Sequence, residues 1–226
     1  FPTLFAATSA LGGTALAIQY AVVAFAGSLI AGGIGTLTSR GIEASRGNFG
    51  TKVAGKAASA PRQILYGQCR TGGVIVKMDT SGTDNSKLHL AIVLAGHEIE
   101  SLDEVYFNEN KLTLTSSTVS GETVYTVTNS KYVNTDNDNA FASGRLARFT
   151  FHDGSQTTVD GLASAARPLQ YPSTAKFQGM AYVYMELIYD PEKMPNIPAI
   201  WFVVKGKKVY DPRTLTTAYS DNPALI

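Results

Sequence analysis

The amino-acid sequence predicts an α+β chain that is mainly β, an antiparallel β-barrel or sandwich preceded by a long apolar N-terminal helix. Three observations predict it. No charged residue occurs from Phe1 to Ser39. Beyond residue 60, short alternating or Val/Tyr/Thr-rich runs are separated by Gly, Asn and Asp turn signals, the pattern of antiparallel sheets. Met180–Asp190 is apolar on both faces, which places it between two layers. The 226 residues are 44% hydrophobic, enough to build a core, and 16% charged, against roughly 25% in an average soluble domain. Lys+Arg 19 against Asp+Glu 18 leaves a net charge of +1, which argues against a protein held mainly by phosphate contacts. The single cysteine, Cys69, excludes an intramolecular disulfide and a multi-cysteine zinc site.

Residues 1–40 read as the helix. Leu16, Tyr20, Val23, Gly27, Ile30, Ile34 and Leu37 recur at alternating steps of four and three, a heptad-like seam. Ile18, Val22, Phe25 and Leu29 form a second stripe. A helix apolar all round is buried in protein or lipid, and its Ala and Gly residues permit close helix approach. At 1.5 Å per residue, Thr14–Leu37 extends about 36 Å, enough to span a bilayer core of about 30 Å. The seam is expected to be an oligomer or lumen-lining surface. Residues 41–60, rich in Gly, Ala and Ser, read as a flexible linker. Residues 1–60 carry Arg40, Arg46, Lys52 and Lys56 against Glu43, which is +3, and the remainder carries −2.

Residues 61–226 read as the β-rich body. Arg62–Cys69 and Gly73–Asp79 are strand-like, joined at Arg70-Thr71-Gly72 as a short turn. In Lys87–Leu94, Leu88, Leu90, Ile92 and Leu94 point one way and Lys87, His89 and Ala91 the other. Glu104–Asn108, Lys111–Thr115, Glu122–Thr128 and Leu146–His152 are further strands, and Asp160–Ala166 is a short helix. In the long apolar run, Ala181, Val183, Met185 and Leu187 face one side and Tyr182, Tyr184 and Ile188 the other. Ile200–Val204 and Lys207–Tyr210 flank Lys205-Gly206, a hairpin signal. Residues 113–145 are Thr, Ser, Asn and Asp-rich and read as a peripheral hairpin ending in a mobile loop at Asn134–Asn139.

No stretch carries the spacing of an active site. His89, His97 and His152 show no metal-ligand spacing and read as surface or half-buried side chains. There is no Gly-x-Ser-x-Gly elbow and no phosphate loop. A calcium loop beginning at Asp136 would need Gly and Glu where Phe141 and Ala147 stand. Glu98, Glu100, Asp103 and Glu104 cluster without an identifiable acid–base partner. The expectation is no enzyme, no catalytic residues, no cofactor and no metal.

Three stretches carry a family resemblance. They are Ala60-Pro61-Arg62-Gln63-Ile64-Leu65-Tyr66-Gly67 with Arg70–Ile75; Leu90–Leu112; and Gly179–Tyr189 with Pro198–Thr214 and Tyr219–Leu225. Together they resemble the N-terminal part of the tail tip, or tip attachment, proteins of long-tailed bacteriophages, the J-type baseplate hub. The resemblance implies a virion structural protein at the distal end of the tail, a homotrimer that closes the tail tube and couples host contact to DNA ejection. It implies a β-barrel hub domain, contacts with the tape-measure protein and with distal tail and neighbouring tip proteins, and DNA only as cargo passing the channel. It also implies that the chain continues beyond Ile226. Two other readings fit the residues: a membrane-active protein whose N-terminal helix makes transient contact with the host envelope, and a β-sandwich carbohydrate- or lipid-handling enzyme.

Overall fold

The structure, a computed structural model, describes residues 62–222 with Ala224 and Leu225. Among them, the strands are β1 (Gln68–Thr71), β2 (Val74–Ser81), β3 (Lys87–Ala95), β4 (Ser101–Phe107), β5 (Asn110–Lys111), β6 (Leu114–Val119), β7 (Glu122–Val127), β8 (Ala147–His152), β9 (Ala181–Ile188), β10 (Ile200–Lys205), β11 (Val209–Asp211) and β12 (Thr216–Ala218). One α-helix, α1, covers Gly161–Ala166. The strands form a six-stranded sheet in the order β2-β3-β9-β8-β7-β6, a four-stranded sheet β1-β10-β4-β5 and a separate ribbon β11-β12. Every pairing is antiparallel.

The two larger sheets share one apolar core, so the architecture is a sandwich. Alternation on β3 turns Leu88, Leu90, Ile92 and Leu94 into that core, where they join Val183, Met185 and Leu187 of β9 and Phe149 of β8. Val105 and Phe107 of β4 and Ile200, Phe202 and Val204 of β10 belong to the same cluster from the opposite sheet. Fully burying one such side chain contributes about 1.5–3 kcal/mol before the chain entropy is charged against it.

The second face of the six-stranded sheet is also covered. Tyr182 and Tyr184 of β9, Ala91 of β3 and Val124 of β7 pack with Leu162 and Ala163 of α1 and with Tyr171. The helix is short and depends on its cap: Asp160 Oδ1 accepts the Ala163 N–H at 2.6 Å. Gln156 holds the covering segment down, its Nε2 donating to the carbonyls of Phe177 (2.7 Å) and Met180 (3.1 Å). All eight residues of β9 are therefore buried. This matches the expectation for Met180–Asp190, with one change of side: Ile188 packs in the main core, and Glu186 occupies its place on the tyrosine face.

Other expectations are corrected. Arg70-Thr71-Gly72 is not a hairpin turn, because β1 and β2 belong to different sheets. The chain crosses over at Gly73, where a φ of +66° and a Cβ that would lie 2.7 Å from Ile92 Cγ2 exclude a side chain. Lys205-Gly206 likewise does not join a hairpin. A Cβ on Gly206 would lie 2.3 Å from the Leu65 carbonyl oxygen, and the chain passes on to pair β11 with β12. The β6–β7 hairpin is peripheral as expected, turning at Ser120-Gly121 with φ of 53° and 80°. The loop after it is anchored rather than free: Asn134 and Asn137 donate side-chain N–H groups to Asp190 Oδ2 at 2.8 and 2.9 Å.

Because Leu187 sits in the main core at 2% exposure, truncation leaves a cavity. Leu187→Ala is expected to cost about 3 kcal/mol in denaturant unfolding; a loss below about 1 kcal/mol would mean that the strand is not central.

Candidate functional site

The residues singled out as an oligomer or lumen surface, Leu16, Tyr20, Val23, Gly27, Ile30, Ile34 and Leu37, lie outside the described residues, as do the expected helix and linker. Among the described residues no helix is long and apolar enough to cross a membrane. No group of three or more His, Cys, Asp or Glu among them is arranged to hold a metal ion.

The most concentrated polar chemistry lies on the tyrosine face of the six-stranded sheet. His89 on β3, Glu186 on β9 and Arg148 on β8 are direct cross-strand neighbours in one row. Glu186 and His89 are fully buried. Arg148 Nε donates to Glu186 Oε2 at 2.5 Å, and Tyr184 Oη donates to Glu186 Oε1 at 3.2 Å. His89 Nδ1 lies 2.7 Å from Tyr184 Oη and 3.4 Å from Glu186 Oε1, while its Nε2 lies 2.6 Å from Ser81 Oγ. Burial pushes the Glu186 carboxyl up, but the hydrogen bond from His89 and the charge and hydrogen bond of Arg148 outweigh it and hold it below the ordinary carboxylate range. Burial, with the Glu186 charge added, raises the Tyr184 phenol far above its ordinary value.

A second node lies on the same face. Asp160 accepts the Thr150 hydroxyl and, at 2.7 Å, faces His152 Nε2, while also capping α1. His152 stacks on Tyr182 with ring centroids 4.7 Å apart. Each node joins strand to strand or strand to cover. His89, Tyr184, Glu186 and Asp160 are at most 1% exposed. A substrate would have to displace the covering layer to reach them, so their ground-state role is to fix the row and the cover in register.

One of the three histidines thus differs from the expectation of surface or half-buried side chains: His89 is fully buried, whereas His152 is half-buried as expected. His97 keeps a local role, its Nε2 accepting the Leu65 N–H at 2.9 Å where the described chain begins. Glu186 was not anticipated at all. Its signal was a lone carboxylate inside an otherwise apolar strand. Three of the four carboxylates of the cluster 98–104 form surface pairs: Glu104 with Lys111, Asp103 with Lys205 at 3.6 Å and Glu100 with Lys208 at 3.2 Å. Cys69 packs against the main core, and burial raises its thiol above the ordinary value.

The accessible surface offers two other features. A groove of about 220 Å³ opens where the sandwich parts beside β6, lined by Leu102, Asp103, Leu114, Ser116, Tyr125 and Phe151 among others. On the outer face of the four-stranded sheet, Arg70 lies between the rings of Trp201 (3.7 Å) and Tyr106 (4.4 Å).

Comparison with known proteins adds a likeness among solved structures. No family model matches the chain, and no curated protein matches it. Among solved structures, a chain of the virion of a native gene transfer agent (GTA) particle is similar over 79% of this chain, at 19% identity and a TM-score of 0.42. The chain covers 37% of that neighbour's length.

The lowered Glu186 carboxyl carries a sign. In the unfolded chain the group titrates near 4.5. In the folded chain it titrates lower, so its contribution is present above the unfolded value and is lost as the pH falls through the folded one. Glu186→Gln, which leaves Arg148 unpaired, is expected to cost about 3 kcal/mol at neutral pH. It should also flatten the acid limb of a stability–pH profile measured by chemical denaturation. An unchanged acid limb would remove Glu186 as the linked group.

Proposed function

We propose that this chain is a structural virion protein, the N-terminal hub portion of the distal tail tip of a long-tailed phage, which closes the tail tube and couples host contact to DNA ejection. The observation that carries the reading is where the resembling stretches fall in the fold. Arg62–Gly67 leads into β1, Leu90–Leu112 runs through most of β3 and all of β4 and β5, Gly179–Tyr189 contains β9, and Pro198–Thr214 contains β10 and β11. β1, β10, β4 and β5 together are the whole four-stranded sheet, and β3 and β9 are neighbours at the heart of the other. The resemblance therefore follows the mutually paired centre of the sandwich rather than scattered surface patches.

The burial pattern supports an assembly role. Buried polar groups such as His89, Glu186, Asp160 and Asp190 are spent on internal ties, and large apolar side chains stand exposed at Ile64, Tyr66, Val76, Leu169, Tyr210 and Leu215. In this reading the copies form a homotrimer, with residues 1–40 packed against their symmetry mates inside the assembly. The tape-measure protein and the distal tail and neighbouring tip proteins are the other partners, DNA passes as cargo, and the chain has no catalytic role.

Removing the chain's coding sequence from the particle-producing genome tests the proposal. The expected outcome by electron microscopy is tails that lack their distal hub and particles that do not eject DNA, with both restored by supplying the chain in trans. Complete tails with normal ejection would overturn it.

A further inference from the structure

The outer face of the four-stranded sheet carries polar groups that the fold does not use. The register places Arg70 of β1, Val203 of β10 and Glu104 of β4 in one cross-strand row. Trp201, Tyr106 and Lys111 form the next row on the same face. Arg70 reaches along to that second row, its guanidinium carbon 3.7 Å from the centre of the Trp201 ring and 4.4 Å from that of Tyr106. Trp201, Val203 and Tyr106 are half-buried, yet none belongs to either apolar cluster of the sandwich.

Three donor nitrogens on this face are shut off from water without an acceptor: Arg70 Nε, Arg70 Nη2 and Trp201 Nε1. Buried donors are nearly always paired, and an unpaired one costs free energy that an acceptor would recover, most of all when it is charged. The neighbouring carboxylates are already engaged. Glu104 gives Oε1 to Lys111 Nζ and Oε2 to Tyr106 Oη, the latter at 2.7 Å. Asp103 Oδ1 accepts from Ser101 Oγ at 2.6 Å, and its Oδ2 accepts from Gln68 Nε2 at 3.2 Å with Lys205 Nζ 3.6 Å away. Lys111 and Lys205 thus each have a carboxylate, and Arg70 makes no ion pair among the described residues. Its side chain is held by ring contacts alone, with no hydrogen bond to fix it, so its fork is free to turn toward an incoming acceptor.

We infer that this face receives an extended segment of a partner protein, whose aspartate or glutamate pairs with Arg70 while an adjacent apolar side chain lies against Trp201 and Val203. Charge complementarity selects this occupant. One cation is in excess on the face, which calls for one carboxylate. A nucleic-acid strand would bring a row of phosphates up to Asp103 and Glu104, which repel them. A wholly apolar segment would bury Arg70 with its charge unanswered. The planar guanidinium fork matches a carboxylate in two parallel hydrogen bonds, and Trp, Tyr and Arg are the side chains that dominate binding energy at protein interfaces. The inference goes beyond the hub proposal and does not rest on it, since it uses none of residues 1–61.

Trp201 is the only tryptophan in the sequence, so indole fluorescence of the full chain reports on this face alone. The probes are acetyl-Val-Glu-Val-Ser-amide and its glutamine counterpart, acetyl-Val-Gln-Val-Ser-amide. The glutamate peptide is expected to change the emission saturably, and the glutamine peptide to bind more weakly by about tenfold or more. Arg70→Gln should erase that difference and Arg70→Lys should keep part of it, both with an unchanged circular dichroism spectrum. Equal responses to the two peptides, or no saturable response at millimolar peptide, would overturn the inference. So would a response to inorganic phosphate or to a thymidine oligonucleotide equal to that of the glutamate peptide, because the face would then be a general anion or nucleic-acid surface. Should the Arg70 variants fail to fold, the two peptides on the unaltered chain decide the matter. Discrimination between the peptides by a chain whose removal leaves complete, ejecting tails would keep this surface and remove the hub proposal. Equal responses, together with tails that lack their hub when the chain is removed, would do the reverse.

Discussion

The burial of both faces of β9 is the constraint from which the rest of the structure follows. A strand whose eight residues are all out of water cannot lie at an edge and cannot leave either face uncovered. One face requires the second sheet; the other requires α1 and the segment around Tyr171. Once both layers are in place, the single carboxylate in the strand has to be answered within its own row. It is answered from both sides, by His89 on β3 and Arg148 on β8, each directly opposite Glu186. A slip of one residue on either side would carry every side chain of that strand to the wrong face and leave the carboxylate facing a hydrophobe. The ion row thus selects one register where apolar packing alone would tolerate others.

The elements legible in the sequence were those with a complete local signal. β3 alternates over eight residues, and the alternation maps onto the core without exception at Leu88, Leu90, Ile92 and Leu94. The short helix was legible because Asp160 is a capping residue followed by small helix formers. What escaped were features decided by non-local geometry. Arg70-Thr71-Gly72 and Lys205-Gly206 have the composition of tight turns, yet each leads the chain from one sheet to another element. The close approaches at Gly73 and Gly206, which explain the glycines, are to residues distant in sequence. Leu114–Val119 was half-missed because an exposed edge strand of Thr and Ser has no apolar alternation to betray it. The polar network was illegible residue by residue: His89, Arg148 and Glu186 are separated by about forty to a hundred positions and meet only through strand order. The seam from Leu16 to Leu37 rests on sequence periodicity alone.

The division of labour between inside and outside follows from the same constraint. The ionisable groups beneath the cover, His89, Arg148, Glu186 and Asp160, are engaged in holding register, so the chain's capacity for recognition lies at its perimeter. There the edges are treated unequally: β2 is strapped by Lys77 and Asp79 to the covering segment, whereas β6 is left open beside a groove floored by Leu114, Tyr125 and Phe151. A domain organised in this way is suited to being joined to others through its rims, with its centre acting as a rigid spacer.

Native-state hydrogen exchange on the chain tests the primacy of β9 most directly. If the two-sided burial of that strand underlies the fold, the amides of Ala181–Ile188 exchange only through global unfolding, and their exchange free energies equal the stability measured by denaturant. Those of the outer strand Leu114–Val119 exchange through smaller openings. Exchange in β9 as fast as in β6, or protection lost there while β10 and β4 remain closed, would contradict the account.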